Sequence, residues 1–152
     1  MKPDNTDRKI LKALQQDGRL QNVELAKQIG LSPSSCLRRV KLLEEEGIIE
    51  RYSAKLNAGK VGLGFTVFAR VWLKGQDGET VSGFTEAVGR LKQITECHLM
   101  AGDSDFLLRI VAADLQDYWR FQTDYLAQIP GVQNIKTDIP LLVVKSDTDL
   151  PL

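Results

Sequence analysis

The sequence predicts an α+β protein with two small domains, an amino-terminal winged helix-turn-helix and a carboxy-terminal βαββαβ ferredoxin-like domain. Three observations support this prediction. Apolar residues follow helical spacing over residues 4–50, the period changes to two from residue 64, and strands and helices then follow the order of two split β-α-β units. We expect the first domain over 1–56, a linker over 57–63 and the second domain over 64–152.

The first two helices are predicted from their apolar stripes and from the residues at their ends. The first runs from about Asp4 to Gln16, before an Asp-Gly pair. The second starts after Asn22, a residue type that favours the N-cap, and stops at Gly30, a residue type that favours the position after a helix.

A third helix is predicted from its start signal. Ser32 is the expected N-cap, and Pro33 occupies the first helical position, where a missing N–H leaves no hydrogen bond unmade. The helix runs to Gly47, and residues 48–56 alternate loosely, which predicts a short strand or hairpin. The residues expected to face the core are Cys36, Leu37, Val40, Leu43 and, at the edge, Leu42.

The second domain begins with a strand that is apolar on both sides. Residues 65–73 alternate, and Phe68 and Trp72 lie opposite the main apolar face. Helices cover only one face of such a sheet, so these two aromatic residues predict that a second subunit packs on the other face. Pro140 is expected in the last strand, at a sheet edge that tolerates a missing donor. The remaining elements are expected as a helix at 80–92, strands at 94–101 and 105–113, a helix at 115–128 and a last strand reaching about Lys145.

The composition is that of a soluble globular protein, with 43% apolar and 26% charged residues over 152 positions. No apolar run approaches the roughly 18 residues of a membrane span, and the first four residues do not open a signal peptide, so we expect a cytoplasmic protein. Cys36 and Cys97 lie far apart and outside any C-x-x-C pair, which indicates neither a disulfide framework nor a zinc site.

The formal net charge is zero, yet the two parts of the chain differ in charge. Residues 1–60 carry 12 Lys and Arg against 8 Asp and Glu, a charge of +4, and the remaining residues carry 8 against 12, a charge of −4. A partner that bears phosphates needs a cationic surface, so the amino-terminal part is the candidate for binding nucleic acid.

The outward face of the third helix carries the groups that DNA recognition requires. Hydroxyl groups near its start suit phosphates or base edges, and arginine matches the acceptor pair of guanine in the major groove. Lys27, Arg51 and Lys55 are expected to grip flanking phosphates. A basic helix face can also be simply solvated, and the three glutamates at 44–46 confine the basic surface to the first half of the helix. The candidate DNA-binding residues are Ser32, Ser34, Ser35, Arg38, Arg39, Lys41, Arg51 and Lys55.

Motifs in both domains follow the order found in one known family. They include Asp7-Arg8-Lys9-Ile10-Leu11, Gly30-Leu31-Ser32-Pro33-Ser34 and Cys36-Leu37-Arg38-Arg39-Val40, and then Glu96-Cys97-His98, Gly102-Asp103-Ser104-Asp105-Phe106 and Pro130-Gly131-Val132. These segments resemble the leucine-responsive regulatory protein/AsnC (Lrp/AsnC) family over nearly the whole chain. The resemblance implies a transcription regulator of amino-acid metabolism that binds operator DNA as a homodimer, commonly assembled into an octamer. It also implies a small effector, leucine or another apolar amino acid, bound between dimers.

The resemblance places the effector at the turn between the second and third strands, with facing parts supplied by a neighbouring dimer. Asp103 or Asp105 would meet an α-ammonium group, and backbone N–H groups of the glycine turn would hold an α-carboxylate. Gly, Asp and Ser are also favoured in a plain hairpin turn, so the turn alone does not require a ligand. The implied effector-binding residues are Met100, Ala101, Gly102, Asp103, Ser104, Asp105, Thr123, Asp124 and Thr137.

Three functions are compatible with the sequence. The first is an effector-responsive transcription regulator, the second an effector-independent DNA-organising protein, and the third a small enzyme or metabolite-binding module on the second domain. No nucleophile elbow, phosphate loop or paired-carboxylate motif is present, and the single histidine, His98, has no second metal ligand nearby in sequence. We therefore favour the regulator and expect neither catalysis nor a metal site.

Overall fold

The structure, a computed structural model, describes residues 2–152. The chain divides into two compact units: a first unit, made of the chain up to Lys55 together with Lys145–Leu152, and a second unit, Leu56–Val144. The sequence placed residues 145–152 in the second domain, whereas the structure packs them with the first unit. Among residues 2–152, no helix is both long and apolar enough to span a membrane.

Three helices form the first unit: α1, Asn5–Gln16; α2, Asn22–Ile29; and α3, Pro33–Glu45. Gly30 ends α2 as predicted, with a φ of 77° that glycine adopts without steric cost. Asn22 is not the N-cap, so that prediction was wrong; it is the first helical residue, and its Nδ2 donates a hydrogen bond of 2.8 Å to the Pro33 carbonyl. This bond holds the start of α2 against the start of α3.

The core of the first unit lies between the three helices. Ile10, Leu25, Cys36 and Leu43 are buried there, and burial raises the pKa of the Cys36 thiol. Two inward predictions were wrong, since Leu37 and Leu42 are 44% and 41% exposed. Cys36 and Leu43 are two helical turns apart on one stripe, and Leu37 and Leu42 fall on its flanks.

Residues 48–56 form no strand, so the prediction of a strand or hairpin was wrong. Ile48 and Ile49 pack against the core, and the chain then runs exposed and without a hydrogen-bonded partner strand. Tyr52 anchors this segment, because its hydroxyl donates a hydrogen bond of 2.8 Å to Glu44 Oε1 at the end of α3.

Residues 145–152 lie against the first unit through polar contacts and one apolar contact. The Lys55 ammonium donates to the Ser146 carbonyl at 2.9 Å. The Gln15 amide makes two bonds to the Leu150 backbone, donating to its carbonyl at 3.1 Å and accepting from its N–H at 2.7 Å. Leu152 packs against the apolar core. The segment therefore completes the first unit.

The second unit is made of four strands and two helices: β1, Phe65–Leu73; α4, Gly78–Gly89; β2, Ile94–Leu99; β3, Phe106–Ala112; α5, Leu115–Asp124; and β4, Val132–Asp138. The strands form an antiparallel sheet in the order β2-β3-β1-β4, so the first and third strands are central, as predicted. The inner face of the sheet packs on the helices, and Phe84 of α4 lies against Phe106 of β3 at a ring-centroid distance of 4.6 Å.

The last strand is shorter than predicted, which changes the place of Pro140. β4 ends at Asp138, opposite Phe68 of β1, so Pro140 lies beyond the strand and its placement within β4 was wrong. A proline cannot donate to the ladder and restricts the residue before it, so strand pairing stops ahead of it. Residues 139–144 are instead apolar and largely exposed, with Val144 at 89%.

Candidate functional site

The start of α3 presents a cluster of hydroxyl groups. Ser32 is the N-cap as predicted, and its Oγ accepts a hydrogen bond of 3.3 Å from the Ser35 N–H. Its Oγ also lies 3.3 Å from Ser34 Oγ. Ser32 and Ser34 are exposed, and Ser35 is half-buried. These hydroxyls and the amino-terminal end of α3 have the chemistry of a surface that could bind phosphate.

Arg38 and Lys41 continue this surface along α3. Both side chains are exposed, and no hydrogen bond or ion pair within residues 2–152 holds either of them. Two free cations one turn apart on one helix face are available to base edges or phosphates. Glu44 faces Tyr52 further along, where the basic surface ends.

Arg39 differs from its neighbour because it is engaged within the first unit. Its Nη1 donates to Asp7 Oδ1 at 2.7 Å and to Asp4 Oδ2 at 2.9 Å. These bonds raise the pKa of Arg39, and the pKa of Asp4 is lowered first by the Asp7 N–H and then by Arg39. The sequence grouped Arg39 with the candidate DNA-binding residues; in the structure its guanidinium is paired with two carboxylates, whereas Arg38 and Lys41 are not paired within the described part of the chain.

The three other predicted cations lie outside α3. Lys27, on α2, and Arg51, in the extended segment after α3, are exposed. Lys55 is also exposed, but its ammonium donates to the Ser146 carbonyl. A lysine held by a neutral carbonyl keeps its charge and its other two donors, so it remains able to contact a phosphate.

A small cleft lies beside the turn between β2 and β3. Its volume is about 250 Å³, and its lining residues are Gln76, Val81, Leu99, Met100 and Asp105. The Asp105 carboxylate accepts hydrogen bonds from the Leu73 N–H at 2.7 Å and from Gln76 Nε2 at 2.9 Å. These two bonds fix the carboxylate at the edge of the cleft, beside apolar side chains.

The turn itself is held by backbone contacts. The Met100 N–H donates to the Asp105 carbonyl at 2.9 Å, and Trp72 Nε1 donates to the Asp103 carbonyl at 2.8 Å. Ser104 is buried, whereas Ala101, Gly102 and the side chain of Asp103 are exposed. Of the two aspartates that the resemblance implied, Asp105 therefore lines the cleft and Asp103 faces solvent.

Within a single copy of the chain, the three other implied effector residues, Thr123, Asp124 and Thr137, do not line this cleft. Thr137 pairs with Ala69, four residues before Leu73, which places it about 13 Å along the sheet from the strand end at the cleft. Its Oγ1 lies 2.6 Å from the hydroxyl of Tyr118, whose pKa is raised by burial. Thr123 and Asp124 are exposed at the end of α5.

The sheet face opposite the helices carries the two aromatic residues predicted to meet a second subunit. Phe68 and Trp72 are half-buried, and Arg70 lies between them along β1. Arg70 forms an ion pair with Asp138 on the same face, at 2.7 Å. The face is therefore a mixed apolar and charged surface without a covering layer in the second unit.

Sequence reasoning missed three residues of the cleft, Gln76, Val81 and Leu99. Gln76 lies in the loop after β1, and nothing in its local sequence indicates that its amide reaches Asp105. His98 is exposed on β2, with its Nε2 3.4 Å from Glu96 Oε2. Within the described residues, no group of three or more His, Cys, Asp or Glu side chains is placed to hold a metal ion.

Comparison with known families matches each part of the chain to a separate profile. Residues 3–50 match a winged helix-turn-helix DNA-binding family, and residues 66–150 match the Lrp/AsnC ligand binding domain. The second match extends over residues 145–150, which the structure packs with the first unit.

Curated relatives match along almost their whole length. The transcriptional regulator AzlB of Bacillus subtilis is 37% identical over 149 residues, covering 98% of this chain and 95% of that protein. The leucine-responsive regulatory protein of Escherichia coli K12 is 40% identical over 147 residues, covering 97% and 90%.

Solved structures show the same fold. A transcriptional regulator from Neisseria meningitidis, in complex with L-Met, superposes with a TM-score of 0.94 at 37% identity, covering 99% of this chain and 97% of that one. An AsnC family transcriptional regulator from Agrobacterium tumefaciens gives a TM-score of 0.93 at 36% identity, covering 98% and 97%.

Proposed function

Because this chain belongs to the Lrp/AsnC family of transcription regulators, we propose that it reads its operator with α3 and responds to an amino acid bound beside Asp105. One observation carries the DNA-binding part. Arg38 and Lys41 stand exposed and unengaged behind the Ser32 cap, on a helix whose other arginine is held internally. Arg38 would read a base edge, while Arg51 and Lys55 would hold phosphates.

The chemistry of the cleft supports a small apolar amino acid as effector. A volume of about 250 Å³ is below the range of roughly 300–1,000 Å³ typical of drug-sized ligands. Val81, Leu99 and Met100 would take an apolar side chain, and the Asp105 carboxylate would meet an α-ammonium group. Leucine is one candidate by family, and methionine is another because the regulator from Neisseria meningitidis binds L-Met.

We further propose a homodimer that assembles into an octamer. The uncovered sheet face with Phe68 and Trp72, together with the exposed apolar segment 139–144, supports burial against another copy. The distance of Thr137 from the cleft supports a site that a neighbouring copy completes.

The relatives are named as regulators, which supports a protein without catalytic activity that works with its DNA in the cytoplasm.

Two measurements test this function. A thermal-shift screen across the twenty amino acids should raise the melting temperature with leucine or methionine, because a ligand selective for the folded state stabilises it. No shift with any amino acid would favour an effector-independent DNA-organising protein instead.

The second measurement is the affinity of the protein for DNA at a fixed salt concentration. Arg38→Ala should weaken binding by about 1–3 kcal/mol on a duplex that the protein selects from a random pool. Arg90→Ala removes an arginine from an exposed ion pair in the second unit and should leave affinity unchanged. Unchanged binding of Arg38→Ala would contradict the role of α3.

A further inference from the structure

The Arg39 guanidinium joins α3 to the start of α1, 32 residues away in sequence. Its two bonds, of 2.7 Å and 2.9 Å, have the lengths of charge-assisted hydrogen bonds. The Asp7 side chain is 6% exposed and that of Arg39 is 30% exposed. The pair therefore differs from an ion pair such as Arg90–Glu86, which is exposed within one helix.

The two carboxylates are also held by bonds that do not involve Arg39. Asp4 and Asp7 form a reciprocal capping box, in which Asp4 Oδ1 accepts from the Asp7 N–H at 2.8 Å and Asp7 Oδ2 accepts from the Asp4 N–H at 3.0 Å. Each residue uses one oxygen in the box, and Arg39 takes the other oxygen of each. The contact thus connects α3 to a rigid helix end and not to a flexible surface side chain.

The charge of this cluster is unfavourable for a phosphate contact. Two carboxylates and one guanidinium sum to −1, whereas the adjacent Arg38 is exposed and uncompensated. A direct contact between Arg39 and DNA would have to break two short bonds and leave the buried Asp7 without its partner, which is costly.

We propose that Arg39 is a positioning residue for DNA binding: with Asp7 and Asp4 it fixes α3 on α1, so that Arg38 and Lys41 are presented to the DNA. The inference rests on the proposed role of α3 in DNA binding. The proposal makes a specific prediction for substitutions of Asp7, a residue on another helix, and for their effect on DNA affinity. If Arg39 contacted DNA directly, Asp7 would compete with the DNA for its guanidinium, and removing the Asp7 charge would leave the affinity for DNA unchanged or raise it. If Arg39 positions α3, the Asp7 charge is required for full affinity for DNA.

Asp7→Asn separates these two cases by the sign of its effect. It retains an oxygen that can accept the capping bond but removes the charge that holds Arg39. If Arg39 positions α3, Asp7→Asn and Arg39→Ala should each weaken binding to the selected duplex by about tenfold, within the usual range for coupled residues. The double variant should be no more than about threefold weaker than either one, since both remove the same contact.

Salt dependence gives an independent readout. Removing a phosphate contact lowers the slope of log K against log salt by about 0.9, as expected for Arg51→Ala if Arg51 holds a phosphate, whereas Arg39→Ala should leave the slope unchanged. A slope that falls with Arg39→Ala, or binding that is unchanged or tighter with Asp7→Asn, would overturn the proposal. A lower melting temperature with unchanged affinity would reduce the pair to a stabilising contact and also overturn it.

Asp4→Asn serves where Asp7→Asn does not fold. It keeps a cap acceptor and loses the more exposed of the two ionic contacts, so a loss of about two- to threefold in affinity is expected. An unchanged affinity for Asp4→Asn in that case overturns the inference. If Arg38→Ala weakens binding and the Asp7 and Asp4 variants do not, only this inference fails. If none of them changes binding, the proposed role of α3 fails as well.

Discussion

The surface proposed to bind DNA, in the first unit, is supplied by consecutive turns of one helix, whereas the cleft proposed to bind the effector, in the second unit, draws on three separate elements. Ser34, Arg38 and Lys41 follow one another on α3. Gln76, Val81 and Asp105 come from a loop, a helix and a turn that meet only after the sheet has formed. A site on one helix follows from local periodicity, and a site between elements depends on tertiary contacts.

The largest expected effect tests whether the two units are also separate in stability. Phe84 is fully buried against Phe106, so Phe84→Ala should destabilise the second unit by about 3–5 kcal/mol. Trp72 and Trp119 both lie in Leu56–Val144, so tryptophan fluorescence during urea unfolding reports on that unit alone.

Leu43→Ala is the matched substitution in the first unit. Leu43 is fully buried in α3, and the loss should be about 2–5 kcal/mol. It should shift the unfolding of the helices followed by circular dichroism and leave the fluorescence transition in place. If both substitutions move one common transition, the units unfold together and the division fails.

Asp105→Ala tests the cleft of the second unit, where the Asp105 carboxylate is held by hydrogen bonds from two other residues. The exposed Gln76 amide can turn to water, but the Leu73 N–H would lose its acceptor, and an unsatisfied buried group costs about 1–3 kcal/mol. We expect a lower melting temperature and loss of the thermal shift by leucine or methionine. Asp103→Ala, in the same turn but exposed, should keep the shift. A shift retained by Asp105→Ala would move the effector site elsewhere.

The sequence predicted the elements whose signals are local. The Ser32 cap, the Gly30 stop, the burial of Cys36 and Leu43 on one stripe of α3 and the alternation of β1 each involve neighbours along one element, and each is found in the structure. The order of strands also followed from the sequence, because the βαββαβ connections allow few sheets.

The predictions that failed depended on contacts between distant residues. Residues 48–56 have strand-like composition but find no partner strand, and Asn22 uses its side chain for Pro33 on the next helix. Nothing in the sequence indicated that Arg39, and not the adjacent Arg38, pairs with Asp4 and Asp7 at the start of α1. No local pattern contains such information.

Gln15→Ala tests whether residues 145–152 belong to the DNA-binding unit. The substitution removes both bonds to the Leu150 backbone, which at a partly exposed site are expected to contribute about 1 kcal/mol together. The first unit should melt a few degrees lower, and amides near residue 150 should exchange faster with solvent. Gln16→Ala, the exposed neighbour on α1, is the control. Equal behaviour of the two variants would detach the segment from this unit.

The smallest expected effect concerns Tyr52, which holds the extended segment after α3. Burial, and then its hydrogen bond to Glu44, raise the pKa of Tyr52 from about 10 to about 12. Since the folded-state value is the higher one, this contact contributes fully below pH 10 and is lost as the pH rises toward 12. Tyr52→Phe should therefore flatten the decline in stability over that interval, measured by urea unfolding at successive pH values.

Absorbance of the phenolate gives the same quantity directly, as the difference between the titrations of the unsubstituted protein and Tyr52→Phe. A midpoint near 12 is expected, and Glu44→Gln should move it down by removing the carboxylate that opposes ionisation. Tyr125→Phe, in the second unit, should leave the stability of the first unit unchanged. A Tyr52 midpoint near 10 would mean that the segment leaves α3 in solution, so that the proposed DNA contact of Arg51 would come from a mobile segment instead of a fixed one.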